Sequence, residues 1–383
     1  MRLLIYIHSL DIGGAERVVA NLANYWVSLG WQVTVVTVAP SSTDFYAVDP
    51  AVERISLDLA GGGRNLLAGF VRTARRVRAL RRVLQSVKPD IALSAMHTAN
   101  VVLSLAAHGL PGVCAIGSEH NFPPKSPMGI VWETMRSYAY ANLDAVVALT
   151  RECADWLAAH SHARRVIVIP NPVSWPLQDQ EPHLAPEACC APGRRILLGV
   201  GRLNAEKNFS ALVDVFAGLA HAHPEWDLVI LGDGPEQEAL QEQARSSGLE
   251  GRVFLPGRVG NVGDWYARAS LYAMSSDFEG FPNTLVEAMA YGLPAISFDC
   301  DTGPRDIIRH DVDGLLVTPG DLQGMHSALG RLMGDARLRA EFAARACQAR
   351  ERFSMRKIAG MWEELFAHEC MPISPKASVL ANE

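Results

Sequence analysis

Met1 and Arg2 precede five consecutive apolar residues, Leu3 to Ile7, and the chain then turns at Gly13-Gly14 into a segment whose Val18, Val19, Leu22, Ala23 and Trp26 recur at helical spacing. Gly30 ends that segment, and Trp31 to Val38 follows as a β-branched run. Strand, glycine turn, helix and strand in residues 1–40 make a βαβ unit, and strands joined this way run parallel. A parallel sheet needs helices on both faces, so this opening predicts a doubly wound α/β domain. Further strand-like runs at Ile91–Ser94, Val113–Ser118, Ala145–Leu149 and Val166–Ile169 extend it.

Between Asn171 and Gly193 the pattern stops, and Pro172, Pro176, Pro182, Pro186 and Pro192 stand among polar residues, which reads as a linker. The alternation then restarts, with strands at Ile196–Val200, Leu228–Leu231, Val253–Leu255, Leu271–Met274, Ala295–Phe298 and Leu315–Val317. A chain of 383 residues is long enough for two such domains, each with its own core. The expected division is a first domain over 1–172, a linker over 173–193 and a second domain over 194–355. A helix over 356–373, carrying Ile358, Met361, Trp362, Leu365 and Phe366, is expected to pack back toward the first domain, ahead of a polar tail over 374–383. The fold class is α/β, with two Rossmann-like doubly wound domains.

Apolar residues make up 49% and charged residues 20%, which excludes disordered and collagen-like chains. The first apolar run is too short for a signal peptide, and Val101 to Gly117 is broken by His108 and Pro111, so no membrane-spanning helix is expected. Seven cysteines without a CxxC pair or metal-type spacing fit a reducing cytoplasm, with Cys189 and Cys190 as incidental linker residues. The net charge of −6 hides an asymmetry. Residues 1–175 carry 16 Lys plus Arg against 12 Asp plus Glu, and the remainder 19 against 29.

In open parallel sheets ligands bind beyond the carboxyl ends of the strands. After the first strand of the second domain come Gly201-Arg202-Leu203 and Glu206-Lys207-Asn208, placing two cations on one loop. A guanidinium fork and a flexible ammonium suit a diphosphate; a pair of solvated surface cations is the plain alternative. Glu279-Gly280-Phe281-Pro282-Asn283-Thr284-Leu285-Val286-Glu287 places one carboxylate on a Gly/Pro loop and another inside a helix starting near Asn283. Free amides at that helix start attract phosphate, and the carboxylates can accept hydrogen bonds from sugar and ribose hydroxyls. Gly232-Asp233-Gly234-Pro235 reads as a tight turn shaping the cleft wall. Asp299-Cys300-Asp301 has the DxD form of some metal-dependent transferases, but Asp311-Val312-Asp313 has it too, so no metal is expected.

The first domain offers Gly13-Gly14, which do not complete a GxGxxG fingerprint, and Ser118-Glu119-His120-Asn121 after a later strand. His120 could orient a reacting group or accept a proton, since histidine titrates near neutrality; a structural histidine is the plain alternative. A helical projection puts Arg64, Arg72, Arg75, Arg76, Arg78 and Arg82 on one side. Leu66, Phe70, Val77, Leu80, Leu84 and Val87 occupy much of the other, with Leu67, Val71 and Arg81 out of place. A basic amphipathic helix favours an anionic membrane surface by peripheral contact. Nucleic acid is not an expected partner, because the chain is acidic overall and no aromatic stacking motif accompanies the arginines.

Together these motifs resemble the retaining glycosyltransferases of family 4, of GT-B fold, over about residues 1–365. The carriers are Gly13-Gly14-Ala15-Glu16-Arg17, Ser118-Glu119-His120, Gly201-Arg202-Leu203 with Lys207-Asn208, Gly232-Asp233-Gly234 and Glu279 through Glu287. The basic helix is similar to the one that family members acting on polyprenyl-diphosphate-linked oligosaccharides use at the membrane. The resemblance implies two domains facing a central cleft and a nucleotide-sugar donor, UDP-linked, with no cofactor and no metal. Arg202 and Lys207 would bind its diphosphate with the Thr284 and Leu285 amides, beside Gly280, Phe281 and Pro282. Glu287 would hold the ribose, Glu279 the transferred sugar, and Gly257 and Arg258 would lie near the base. Gly14 would admit the phosphate and His120 would stand near the reacting carbon. A hexose or N-acetylhexosamine would pass to a lipid-linked oligosaccharide or polysaccharide precursor at the cytoplasmic membrane face. A sugar-nucleotide epimerase of the same fold and a soluble transferase with a small-molecule acceptor are the alternatives; oligomeric state is not legible.

Overall fold

The computed structural model describes residues 1–61 and 66–370, the side chains of residues 66–68 excepted. Arg64 and the expected tail 374–383 lie outside the described residues. The chain divides into two compact units: residues 1–172 together with the chain from Met355 onward, and Val173–Ser354.

The sheet of the first unit is built from β1 (Arg2–Ile7), β2 (Gln32–Thr37), β3 (Glu53–Ser56), β4 (Ile91–Ala95), β5 (Cys114–Glu119), β6 (Ala145–Ala148) and β7 (Val166–Val168), in the order β3-β2-β1-β4-β5-β6-β7. All neighbouring pairs are parallel. β1 pairs with β2 on one side and β4 on the other, Leu3 standing opposite both Val33 and Ile91. Its alternate residues face different layers. Leu3, Ile5 and Ile7 meet Val18, Trp26 and Trp362, while Leu4 and Tyr6 meet Leu80, Leu84 and Leu103. That two-sided burial is why β1 reads as an unbroken apolar run.

The second unit carries β8 (Arg195–Val200), β9 (Trp226–Leu231), β10 (Val253–Gly257), β11 (Leu271–Met274), β12 (Ala295–Phe298) and β13 (Gly314–Val317), in the order β10-β9-β8-β11-β12-β13 and again all parallel. In both sheets the strand order reverses beside the first strand, at β1/β4 and at β8/β11. Such switch points open a crevice at the carboxyl ends.

Three expectations need amendment. β3 went unread: Glu53-Arg54-Ile55-Ser56 has one large apolar residue, and this edge strand is anchored by Arg54, which pairs with Asp44 at 2.9 Å and donates to Thr37 and the Ile55 carbonyl. The proline-rich stretch is folded onto the second unit, Val173 donating to the Phe353 carbonyl and Asn261 holding Leu184 through both its N–H and its carbonyl. The cysteines, whose spacing reads as that of a reducing cytoplasm, include a disulfide. Cys114 at the start of β5 is bonded to Cys370, with Cα atoms 5.3 Å apart, because the helix Met355–Cys370 packs on the first unit. Sequence spacing cannot show a pairing that topology creates across 256 residues. That helix also brings Phe366 against Trp26 and Trp31, and Glu363 accepts from Trp26 Nε1 at 3.2 Å.

The loops after β8 and β9 lie backbone against backbone. Leu203 N–H donates to the Asp233 carbonyl at 2.8 Å, and Glu236 N–H to the Leu203 carbonyl at 3.0 Å. Gly232 has φ of 135°, and a Cβ placed on it would stand 1.9 Å from the Gly201 carbonyl oxygen. Gly232→Ala is therefore expected to destabilise the second unit by on the order of 1–3 kcal/mol, through left-handed strain and loop displacement. Thermal unfolding checks this, and an unchanged transition would show that the loops can part freely.

Candidate functional site

In the second unit the expected donor residues converge at the carboxyl ends of β8 and β11. Lys207 closes a short 3-10 turn, Ala205–Lys207, and Asn208 follows with φ of 48°, its side chain capping the next helix at Ala211 N–H. The second loop is stitched to this one at three points: Asp277 N–H donates to the Glu206 carbonyl, Asn208 Nδ2 to Asp277 Oδ1 and Ser275 Oγ to the Lys207 carbonyl. Lys207 Nζ donates to Glu279 Oε1 at 2.7 Å, and Ser276 Oγ donates to the same oxygen at 2.7 Å. Glu206 stands 3.8 Å from the ammonium. Arg202, by contrast, is exposed and its guanidinium has no ion-pair partner among the described residues. One cation is thus preset against a carboxylate, and one projects toward solvent.

Glu279, Gly280, Phe281 and Pro282 lead into the helix Asn283–Ala290, where Thr284, Leu285 and Glu287 sit. Phe281 is buried against Phe353 and the Glu279 carbonyl accepts from Thr302 Oγ1, which fixes the approach. Glu287 is 5% exposed rather than solvated, and Tyr266 donates to its Oε2 at 3.2 Å. Tyr272 donates to Thr284 Oγ1 at 2.9 Å. Burial, above all, and to a smaller extent the carboxylates of Glu279 and Glu287 push the Tyr272 hydroxyl well above its ordinary value against the lowering effect of its bond to Thr284, so it stays a donor. Neither tyrosine was singled out from sequence. They come from the helix Val262–Arg268 and from β11, outside the motifs themselves.

The Gly257 carbonyl accepts from Gly232 N–H, and exposed Arg258 pairs with Asp233 at 2.6 Å. The two DxD segments are otherwise engaged: Asp299 pairs with Arg305, Asp311 with Arg331, and buried Asp313 with Arg309. Among the described residues no three His, Cys, Asp or Glu side chains gather as a metal would require.

In the first unit Gly14 opens the helix Gly14–Ser28 after β1, with Glu16 folded back over Gly13. Ser118 and Glu119 end β5 and His120 follows, its Nε2 3.2 Å from Ser118 Oγ. Burial pushes His120 down to about 4, so the ring is neutral at physiological pH. Glu119, quoted only as part of the motif, is fully buried and accepts from Tyr140 at 2.7 Å. Desolvation pushes its carboxyl up to about 7 against the lowering effect of that bond and of Arg136.

The basic helix runs Leu66–Val87. Arg75, Arg78 and Arg82 are exposed as expected and Arg72 is half-buried. Arg76 does not belong to that outer face. It donates twice to the Leu59 carbonyl and lies close enough to His8 to help lower its pKa, because a residue at the edge of the projection can reach back over the sheet. Phe70, assigned to the packed side, is 50% exposed. Arg81 donates to the Ala106 and His108 carbonyls. Among the described residues no helix is long and apolar enough to cross a membrane.

Two parallel-sheet Rossmann-like domains in one chain, each with its motifs on loops at the carboxyl ends of its strands, define the GT-B architecture. The profile described as Glycosyl transferases group 1 matches residues 190–349 and that of Glycosyltransferase Family 4 matches residues 12–174, and this chain belongs to the GT-B glycosyltransferases. It is 34% identical to an exopolysaccharide phosphotransferase of Streptomyces coelicolor over 75% of this chain but only 29% of that protein. It is 27% identical to the amylovoran biosynthesis glycosyltransferase AmsD of Erwinia amylovora, over 95% of this chain and 99% of the relative. A Campylobacter jejuni N-acetylgalactosaminyltransferase, named for a diNAcBac-PP-undecaprenol-linked acceptor, is 26% identical over 96% and 98%. Among solved structures, sucrose-phosphate synthase from Thermosynechococcus elongatus superposes with a TM-score of 0.81 at 19% identity, covering 96% of this chain and 99% of that one. Anabaena HepE in complex with UDP superposes at 0.77 and 20% identity, over 96% and 100%.

The two buried groups beside β5 act on stability in opposite directions. An unfolded histidine protonates near 6.5 and folded His120 only near 4, so its contribution rises with pH across that window. Unfolded glutamate ionises near 4.5 and folded Glu119 only near 7, so its contribution falls as pH rises across that one. In Glu119→Gln only the rising contribution remains. The thermal midpoint of the first unit is expected to climb more steeply from pH 4.5 to 6.5 than in the native chain, and parallel curves would contradict a protonated Glu119.

Proposed function

We propose that this glycosyltransferase moves a hexose or N-acetylhexosamine from a UDP-linked donor to a lipid-linked oligosaccharide or polysaccharide precursor. The reading holds that it acts with retention of configuration, without metal or cofactor, at the cytoplasmic face of the membrane. The observation that carries it is the stitched pair of loops holding Lys207 against Glu279 and leaving Arg202 projecting. Relatives named for exopolysaccharide, amylovoran and undecaprenol-linked glycan synthesis support the class of acceptor, and the UDP complex of HepE supports the nucleotide.

In this reading Arg202 and Lys207 engage the donor diphosphate, assisted by the Thr284 and Leu285 amides at the start of their helix. Glu287, oriented by Tyr266, accepts from the ribose hydroxyls, and Glu279 accepts from a hydroxyl of the sugar. As the bond from the anomeric carbon to the diphosphate breaks, negative charge grows on the leaving oxygen, where the two cations and the helix amides stabilise it. The acceptor hydroxyl bonds to the same carbon from the same face, and its proton passes to the departing phosphate. In this route Glu279 attacks nothing, because the acceptor hydroxyl, not a carboxylate of the chain, forms the new bond. Gly14 and His120 belong to the first unit's share of the reaction. Gly257 shapes the loop below and Arg258 reaches toward the base.

Lys207→Ala and Glu287→Gln are each expected to lower transfer by about 10²–10³-fold while leaving the thermal transition near that of the native chain. Release of UDP from a panel of UDP-sugars, with a membrane lipid extract as acceptor, measures this. Near-native turnover by either variant would remove that residue from the donor site.

The exposed arginines support a peripheral membrane contact. Reversing Arg75, Arg78 and Arg82 to Glu is expected to remove roughly 1 kcal/mol of vesicle affinity per cation on anionic bilayers, and still more from the added repulsion. Sedimentation with phosphatidylglycerol-containing vesicles reads the change. Binding that persists with the same salt dependence would make this face an ordinary solvated surface.

A further inference from the structure

The polar side chains packed behind His120 form a connected set that the donor chemistry does not use. Asn100, buried in the first turn of the helix His97–Ala107 that follows β4, donates through Nδ2 to the Ser118 carbonyl at 3.0 Å and accepts Ser118 N–H on Oδ1 at 3.2 Å. The same Nδ2 lies 3.1 Å from the Tyr140 hydroxyl, which donates onward to Glu119 Oε2 at 2.7 Å. Glu119 also accepts the backbone N–H of Asn121. His120 is therefore bracketed: Ser118, two residues before it, is clasped by Asn100, and Asn121, the residue after it, by Glu119.

Burying a carboxyl costs several kcal/mol unless it is hydrogen-bonded, and an apolar residue would fill a strand end at lower free energy. Glu119 nevertheless stands there at 1% exposure, its carboxyl bonded to Asn121 N–H, next to His120, and to Tyr140, in the 3-10 turn Tyr140–Asn142. We propose that Glu119, held by Tyr140, is a positioning residue for His120, fixing the backbone on its far side so that the imidazole stays inside the unit with Nε2 on Ser118. The charged and titratable groups facing Glu119 are Arg136 and Glu133 from the helix Ile130–Ala139, His97 at 3.9 Å from the helix His97–Ala107, and Cys153 from the helix Arg151–His160. A ring kept in this place carries no proton at neutral pH, and a neutral ring does not oppose positive charge developing on a nearby anomeric carbon. That consequence rests on the proposed role of His120, but the positioning itself is tested without substrate.

The test is long-range proton–nitrogen NMR of the full chain labelled with 15N-histidine, titrated from pH 4 to 8, with His120 assigned by its loss in His120→Asn. In the native chain its ring is expected to remain unprotonated until near the bottom of that range. Glu119→Ala should raise its midpoint by about one unit or more toward the ordinary value of about 6.5, as the ring gains access to water. Glu119→Gln keeps an acceptor for Asn121 and Tyr140 and should restore the low midpoint. A folded Glu119→Ala with an unmoved His120 midpoint overturns the proposal, as does a Glu119→Gln variant shifted as far as the alanine. Should Glu119→Ala not fold, Tyr140→Phe decides in its place, a raised midpoint supporting the proposal and an unmoved one refuting it.

Discussion

Every strand of both sheets is parallel and the central strands are covered on both faces, so their backbone polar groups are satisfied within the ladders and their side chains are apolar. Polar chemistry is thereby confined to the strand ends. At the carboxyl ends the chain must also turn into helices, and the two switch points decide where those turns diverge. Gly13-Gly14 after β1 and Arg202 to Lys207 after β8 stand at the switch strands themselves; His120 follows β5, the neighbour of β4 in the first sheet, and Glu279 to Glu287 follow β11 in the second.

The second unit adds a further constraint, the closeness of its loops. Gly232 against Gly201, and Asn208, Ser275 and Asp277 across the adjoining loop, leave Lys207 one preferred position beside Glu279. A lysine alone would spread its ammonium over many rotamers, and holding it requires an opposing charge. In the proposed function that carboxylate would serve twice, since a bound diphosphate would draw the ammonium away and free Glu279 to accept from a sugar hydroxyl. Arg202 has no such tether among the described residues and depends on its rigid loop for placement.

The strands and the two-unit organisation were legible because apolar runs and glycine turns reflect two-sided burial directly. β3 was not, since an edge strand anchored by Arg54 has little apolar surface to declare itself. The motifs after β8 and β11 were legible as spacings, but the side chains that support them were not. Tyr266 and Tyr272 reach Glu287 and Thr284 from other elements, and nothing local to either tyrosine marks it. Arg76 shows the limit of a helical projection: its angle is that of a surface cation, while its long side chain turns in to the Leu59 carbonyl. The Cys114–Cys370 bond likewise depends wholly on where the last helix goes.

That last helix has a bearing on how the chain is made. The first unit is completed only by Met355–Cys370, whose Trp362, Leu365 and Phe366 cover the layer holding Leu3, Ile5 and Trp26. During synthesis from the N-terminus, the whole second unit emerges and can fold before this cover exists. For that interval the ribosome carries a finished second unit and a first unit with one bare apolar face. A chain truncated before Met355 would present that face permanently, so its fate would be set by chaperone capture and aggregation rather than by the loss of any residue that touches a sugar.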